Sequence, residues 1–239
     1  MADQTADSSQ PRLFAFSMGE RDAATHVVSS SNKAAADLVQ SWRRWPRGAA
    51  VLTGPSGSGR THLARVWAQA AQAEAWDGRE PPHEAFRRLS GRVLIDDADL
   101  GADEEALVRF FDLAGERGGA VLVVALETWR PRLPDLASRI AAAPRARLLE
   151  PDPALLEVVL RRYCRDRFLE LSDEAVAHLL IRMERSFAGA KQVADHLDQR
   201  LRKGARGPIK LGAVRRLVSD METPFEDDSA AAGDKDAPP

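Results

Sequence analysis

Gly54-Pro55-Ser56-Gly57-Ser58-Gly59-Arg60-Thr61, entered through the apolar run Ala49-Ala50-Val51-Leu52-Thr53, is the stretch on which the fold turns. A short continuous apolar run that ends at glycine reads as a buried parallel strand. The eight residues after it fit G-x-x-x-x-G-K-[ST] at every position but one, where arginine (Arg60) replaces lysine. Glycines at these places let backbone N–H groups turn inward around phosphates. A helix over residues 61–75 would point its positive end at them. The Thr61 hydroxyl stands where a Mg²⁺ ligand is needed, and His62 follows it. The planar guanidinium of Arg60 keeps the charge but does not follow a terminal phosphate as an ammonium does. Binding is therefore expected to survive better than hydrolysis. The bland alternative, a Gly/Ser surface turn, does not explain the strand before the loop and the helix after it.

Working outward, Arg92-Val93-Leu94-Ile95 is a second buried strand and delivers Asp96-Asp97 to the sheet edge beside the loop. Asp96 is placed to hold Mg²⁺, directly or through water, and Asp97 stands where a water-polarising carboxylate is usual. Two acids after an apolar run mean little alone; about 35 residues after a phosphate loop they mean more. Residues 120–125 (AVLVVA) are a third buried strand. Between the strands lie helical patterns over 32–42, with Ala35, Leu38, Val39 and Trp42 on one face, and over 104–116, with Leu107, Phe110, Phe111 and Ala114 at helical spacing. Residues 76–90 carry Gly78, Pro81 and Pro82 and read as a loop with a weak helical piece. The alternation predicts an α/β fold, a parallel sheet with helices on both faces. After Pro151 the pattern changes to three helical stretches, 154–168, 173–183 and 187–202, expected to form a small all-helical lid, with a last short helix at 211–220. The expected organisation is a flexible tail over 1–19, a nucleotide-binding α/β domain over 20–150, the lid over 151–221 and an acidic tail over 222–239.

Composition sets the frame. Thirty-four Lys and Arg against 36 Asp and Glu leave a net charge of −2, which gives no overall push toward nucleic acid. One cysteine, Cys164, excludes an intrachain disulfide and suits a reducing cytoplasm. No apolar run approaches a membrane span, so no membrane partner is expected. The five histidines lack metal-ligand spacing, and the only metal expected is nucleotide-bound Mg²⁺. Cys164 and the five tryptophans read as packing residues. The basic stretch 200–210 (RLRKGARGPIK) reads first as a solvated loop and second as a DNA contact.

Several segments in order resemble the DnaA/Hda family of AAA+ proteins over residues 20–220. Ser31-Asn32-Lys33-Ala34-Ala35 is similar to the family's S-N-x-x-A stretch. Gly59-Arg60-Thr61-His62-Leu63 is similar to G-[KR]-[ST]-H-L, arginine being a feature of the Hda branch. Leu133-Pro134-Asp135-Leu136-Ala137-Ser138-Arg139 is similar to L-x-D-L-x-S-R, which in the family carries the arginine finger. The resemblance implies an AAA+ fold and bound ADP or ATP with Mg²⁺. It implies that residues 54–62, Asp96 and Asp97 hold the nucleotide, and that Arg139 acts catalytically in trans. Gln10-Pro11-Arg12-Leu13-Phe14 resembles the short peptide Q-x-x-L-F by which proteins dock on the bacterial sliding clamp, the beta subunit of DNA polymerase III. Gln10, Leu13 and Phe14 would make that contact, with DNA met through the clamp; the bland alternative is that Leu13, Phe14 and Phe16 pack on the domain.

The function so implied is regulatory: clamp docking, stimulation of hydrolysis of DnaA-bound ATP, and restraint of replication initiation. The chain departs from the family pattern at two sensing positions. Ala125-Leu126-Glu127 ends the third strand, with Thr128 the nearest small polar residue, and the lid arginine falls at Ala188, with Arg185 or Lys191 as substitutes. A self-sufficient ATPase, such as a helicase loader or remodeller, and a nucleotide-independent adaptor stay open as alternatives, as does a homo-oligomer.

Overall fold

The computed structural model describes residues 12–14, 26–78, 81–200 and 208–218. The first elements are the strands β1 (Arg12–Phe14) and β2 (His26–Val28), which pair antiparallel, and the helix α1 (Lys33–Gln40). Then come β3 (Ala49–Gly54), α2 (Arg60–Ala71), β4 (Glu74–Ala75), α3 (Pro82–Arg88), β5 (Arg92–Ile95) and α4 (Glu104–Arg117). β6 (Ala120–Leu126), α5 (Pro134–Ala142) and β7 (Arg145–Arg147) complete the α/β part. Four helices follow, α6 (Pro153–Arg165), α7 (Asp173–Arg182), α8 (Phe187–Arg200) and α9 (Leu211–Val218).

Five strands form one parallel sheet in the order β4-β5-β6-β3-β7. Side chains alternate across a pleated strand, and here both parities are apolar. Val51, Val93, Ile95, Val121 and Val123 pack with Phe86, Leu107, Phe110 and Leu136 from α3, α4 and α5. Leu52, Leu94, Leu122 and Val124 face Ala35, Val39, Leu63 and Trp67 from α1 and α2. Continuous apolar runs are what a sheet covered on both faces requires, so the expected α/β sandwich is what the chain forms. Each large side chain withdrawn in this way is worth about 1.5–3 kcal/mol.

Helices α6–α9 have a separate core of Leu160, Cys164, Val176, Leu179, Val193 and Leu197, the expected all-helical lid. Asp152 caps its first helix by accepting the Leu155 N–H at 2.8 Å, and it also accepts from Ser30 Oγ and Ser31 N. One carboxylate therefore ties the start of the lid to the approach to α1. Among the described residues no helix is long and apolar enough to cross a membrane.

Two local readings are corrected, and the helical piece expected within 76–90 is found. The helix expected over 61–75 stops at Ala71, because Gln72 turns left-handed (φ 53°) and its N–H closes onto Ala68 and Gln69 carbonyls. The chain then runs beside β5, where Trp76 N–H donates to Leu94 O at 2.9 Å, so Glu74–Ala75 is an edge strand. The loop over 76–90 contains a defined helix, α3, started by Pro82. The edge strand β7 carries no strand pattern in sequence, because only Ala146 of its three residues is buried; it extends the sheet through Pro144 O, which accepts Val51 N–H.

Candidate functional site

The loop of residues 54–61 closes between the C-terminal end of β3 and the first turn of α2. Gly57 and Gly59 hold φ of +73° and +89°, values that side-chain-bearing residues rarely adopt. Inside the loop, Ser58 is buried and its Oγ donates to Pro55 O at 2.8 Å. The N–H groups of the first helical turn have no intrahelical acceptor and sit at the loop's mouth. The lid reaches down to this loop. A Cβ on Gly59 would meet Phe187 Cε2 at 2.5 Å, and one on Gly57 would meet Ser186 Cβ at 2.9 Å. Glycine is therefore required here by backbone conformation and by the closeness of the first residue of α8.

Arg60 is folded inward. Its side chain is 11% exposed, and Nη1 lies 3.8 Å from Asp99 Oδ1, itself 6% exposed. That separation is an ion pair without a hydrogen bond, and Nη1 is a buried donor with no acceptor. Such a group is costly to leave unmade, and an anionic oxygen is the acceptor it lacks. Asp99 is fixed from the other side, since its Oδ1 accepts the Leu126 N–H at 2.8 Å where β6 ends.

Thr61 and Asp96 meet as expected, with Thr61 Oγ1 donating to Asp96 Oδ1 at 3.4 Å. Burial pushes the Asp96 pKa up and the charge of Asp97 adds to it, while the Thr61 hydrogen bond opposes. A carboxylate held at this cost beside a hydroxyl fits a divalent cation, whose charge would reverse the penalty. Asp97 is exposed, in a left-handed conformation (φ 51°), and its N–H donates to Asp96.

The loop, Arg60 and Thr61 open onto a cavity of about 430 Å³, within the range of small-molecule sites; neither Asp96 nor Asp97 lines it. The loop and α2 line it with Gly57, Gly59, Arg60, Thr61 and His62, Val27 and Leu148 add apolar surface, and the lid contributes Leu155, Val159, Arg162, Asp166 and Phe187. A phosphate-loop lining together with these apolar side chains suits a ligand that carries both anionic and flat apolar groups. His62 is held below its ordinary pKa, first by burial and then by the charges of Arg162 and Arg65, so it is neutral at pH 7. Asn32 anchors the rim near Val27: its Nδ2 donates to Val27 O and its Oδ1 accepts Ser29 N–H, both at 2.9 Å.

Other expected site residues fall elsewhere. Ala125 is fully buried and Thr128 is exposed, and β6 gives no side chain to the cavity. Arg185, Ala188 and Lys191 are exposed and do not line it, Lys191 pairing with Asp195 at 2.7 Å; the lid cation at the cavity is Arg162 on α6. Arg139 lies on α5 and lines a different depression, with Arg47, Phe111 and Ala142. Its Nη2 is 2.8 Å from Asp112 Oδ1, and Nη1 pairs with Asp135 on its own helix. Of the tail motif, Leu13 and Phe14 are described in backbone only, within the ladder to β2, and Gln10 lies outside the described residues. Sequence reading missed Asp99, Arg162 and Phe187. Asp99 had a signal, as a third acid three residues after Asp96; Arg162 and Phe187 had none, because only the packing of the lid brings them here.

No protein-family model and no curated protein sequence matches the chain. Solved structures do. Domain III of the Thermotoga maritima replication initiation protein DnaA is 16% identical with a TM-score of 0.64, covering 83% of this chain and 95% of that one. The Thermotoga maritima RuvB Holliday junction branch migration motor is 19% identical, TM-score 0.60, covering 81% and 70%. DnaA bound to AMPPCP and single-stranded DNA is 14% identical, TM-score 0.57, covering 74% of this chain. The chain spans 64% of that initiator and 62% of another solved DNA replication initiation factor. At such identities the likeness carries the fold: the chain has the AAA+ P-loop fold of DnaA domain III and RuvB.

Proposed function

We propose that the chain is a cytoplasmic, nucleotide-binding AAA+ regulator that docks on the DNA-loaded sliding clamp and stimulates hydrolysis of ATP bound to DnaA. Gln10, Leu13 and Phe14 make the clamp contact. ADP or ATP lies in the cavity, with Arg60 Nη1, the loop N–H groups and Arg162 at its anionic end. Thr61 and Asp96 would hold Mg²⁺, which when bound would neutralise phosphate charge. The buried, unpartnered Nη1 of Arg60 and the glycine cradle under Phe187 support this placement. So does the AMPPCP bound by the structurally similar DnaA.

One observation carries the regulatory part: Arg139 borders a depression separate from its own phosphate loop, on the surface of α5. A guanidinium there serves a neighbour's nucleotide rather than its own. Asp112 and Asp135 keep it extended and charged until a stronger anion competes, the Asp112 hydrogen bond being the larger cause of its raised pKa. In DnaA's active site it would offset charge developing on the terminal phosphate. The exposed pair with Asp135 alone is worth about 0.3–0.5 kcal/mol, whereas a trans-acting arginine contributes about 10³–10⁵ in rate.

The test is turnover of DnaA-bound ATP with the chain and DNA-loaded clamp present. Wild type should stimulate; Arg139→Ala should keep nucleotide and clamp binding and lose most stimulation. Equal stimulation by the variant would overturn the assignment. The self-sufficient ATPase is favoured by one fact, the likeness to RuvB, a motor. It requires the purified chain to turn over near the median enzyme rate of about 10 s⁻¹. The tether of Arg60 to Asp99 argues for far slower turnover.

A further inference from the structure

Three strands of the sheet are entered through tight turns at the edge opposite the phosphate loop. Arg47-Gly48 leads into β3, Ser90-Gly91 precedes β5, and Gly118-Gly119 leads into β6. Five of these six residues have positive φ: 54° at Arg47, 66° at Gly48, 51° at Ser90, 73° at Gly91 and 67° at Gly118. The turns stack backbone on backbone. A Cβ on Gly48 would stand 2.4 Å from Gly119 O, and one on Gly119 would stand 2.3 Å from Gly91 O. The result is an open trough of about 720 Å³ with a floor of nearly bare main chain.

Its rim is basic. Arg43, Arg47 and Arg92 line it, and no acidic residue does. Arg92 donates to neutral acceptors, Ala71 O at 2.7 Å and Gln72 Oε1 at 3.5 Å. The Arg43 guanidinium lies 4.4 Å over the Trp42 ring. Arg47 runs along Gly115, where a Cβ would come within 3.3 Å of its Nε and Nη2. Among the described residues, none of the three pairs with a carboxylate. Several arginines elsewhere do, Arg60 with Asp99, Arg88 with Glu74, Arg139 with Asp112, Arg147 with Glu127, Arg161 with Glu157 and Arg167 with Asp195, whereas others, such as Arg130 on the Glu127 and Trp129 carbonyls, do not. In a chain of net charge −2, this one lining gathers three such cations and no acid.

We propose that this trough binds the sugar-phosphate backbone of DNA. Guanidinium forks match phosphate oxygens bidentately, and a floor made largely of glycine backbone lets a nucleic-acid backbone come close. Peptide partners depend on apolar anchors filling pockets; the trough offers none, since Trp45 is buried and Trp42 is covered by Arg43. Phosphate binding needs only placed cations. The trough shares no lining residue with the 430 Å³ cavity and shares Arg47 with the Arg139 depression. The trough adds a direct contact to DNA, independent of clamp docking, through which DNA would otherwise be met only indirectly.

Fluorescence anisotropy of labelled duplex and single-stranded oligonucleotides, with the full chain over a salt series, tests it. Arg43→Ala/Arg47→Ala keeps Arg92, whose hydrogen bonds brace the fold. Three phosphate contacts predict a log-log salt slope of about −2.7 on duplex, or about −2.1 on a single strand, at about 0.9 and 0.7 per contact. The double variant, with unchanged circular dichroism, should shed about two-thirds of that slope and bind at least tenfold more weakly at low salt. Preference for duplex or strand identifies the form that is bound. Four results each overturn the proposal: no binding by wild type, unchanged binding by the double variant, equal displacement by poly-glutamate, or loss of binding only when Lys203, Arg206 and Lys210 are changed.

Discussion

Arg60 and Asp96 show how single side chains at the loop trade charge against burial. Asp96 carries a raised pKa in the fold, from burial first and Asp97 second. For an acid with a raised folded value, the ionised form opposes folding above that value, and the opposition is gone below the unfolded one. Asp96→Asn should therefore raise the melting temperature of the nucleotide-free chain at pH 7 while removing Mg²⁺-dependent nucleotide affinity. In wild type, that affinity should fade as pH drops through the raised pKa, earlier than for an ordinary aspartate. Calorimetry with ADP and Mg²⁺ from pH 7 downward checks both, and a melting temperature that falls in the variant would show that Asp96 is held by favourable contacts instead. Asp99 is the companion case. Asp99→Asn keeps an acceptor for Leu126 N–H and releases Arg60, so nucleotide should bind more tightly, and that gain should vanish in Arg60→Ala.

At the scale of elements, the decisive contact is the start of α8 on the phosphate loop. Gly59→Ala adds left-handed backbone strain of about 1–2 kcal/mol and drives a methyl toward Phe187. Thermal stability and nucleotide affinity should both fall, and Phe187→Ala in the same chain should restore the part due to the clash but not the part due to φ. Full recovery would mean that the backbone conformation carries no strain. The β1–β2 ladder is a second case. Its pairing is through backbone groups, so replacing Gln10, Leu13 and Phe14 with alanine should abolish clamp binding with the melting temperature nearly unchanged. A large thermal loss would place those side chains in packing rather than docking.

For the whole molecule, the lid is a body with its own core, and Cys164 reports on it. Burial pushes its thiol pKa to about 11, so at pH 8 a thiol reagent should label it only when the lid opens. Labelling should slow further with ADP bound, because a ligand touching both the loop and the lid favours the closed form. Labelling as fast as a free thiol would show that this core does not form in solution.

Much of this was legible in the chain itself. Apolar runs at 49–53, 92–95 and 120–125 fix a two-sided parallel sheet, because strands buried on both faces need both parities apolar. The spacing of glycines, Thr61 and the Asp96-Asp97 pair places a phosphate site at the ends of those strands, because local turn geometry and helix starts are set by neighbours in sequence. Tertiary packing alone decided the rest. The edge strand β7, with a single buried alanine, owes its conformation to Val51 and Leu52 beside it. Arg162 and Phe187 reach the cavity only because Asp152 and the lid core set the lid over the loop. Arg60 turned out to rest on Asp99, and three uncompensated arginines met at one edge, because ion pairing depends on distance in space, which spacing along the chain does not record.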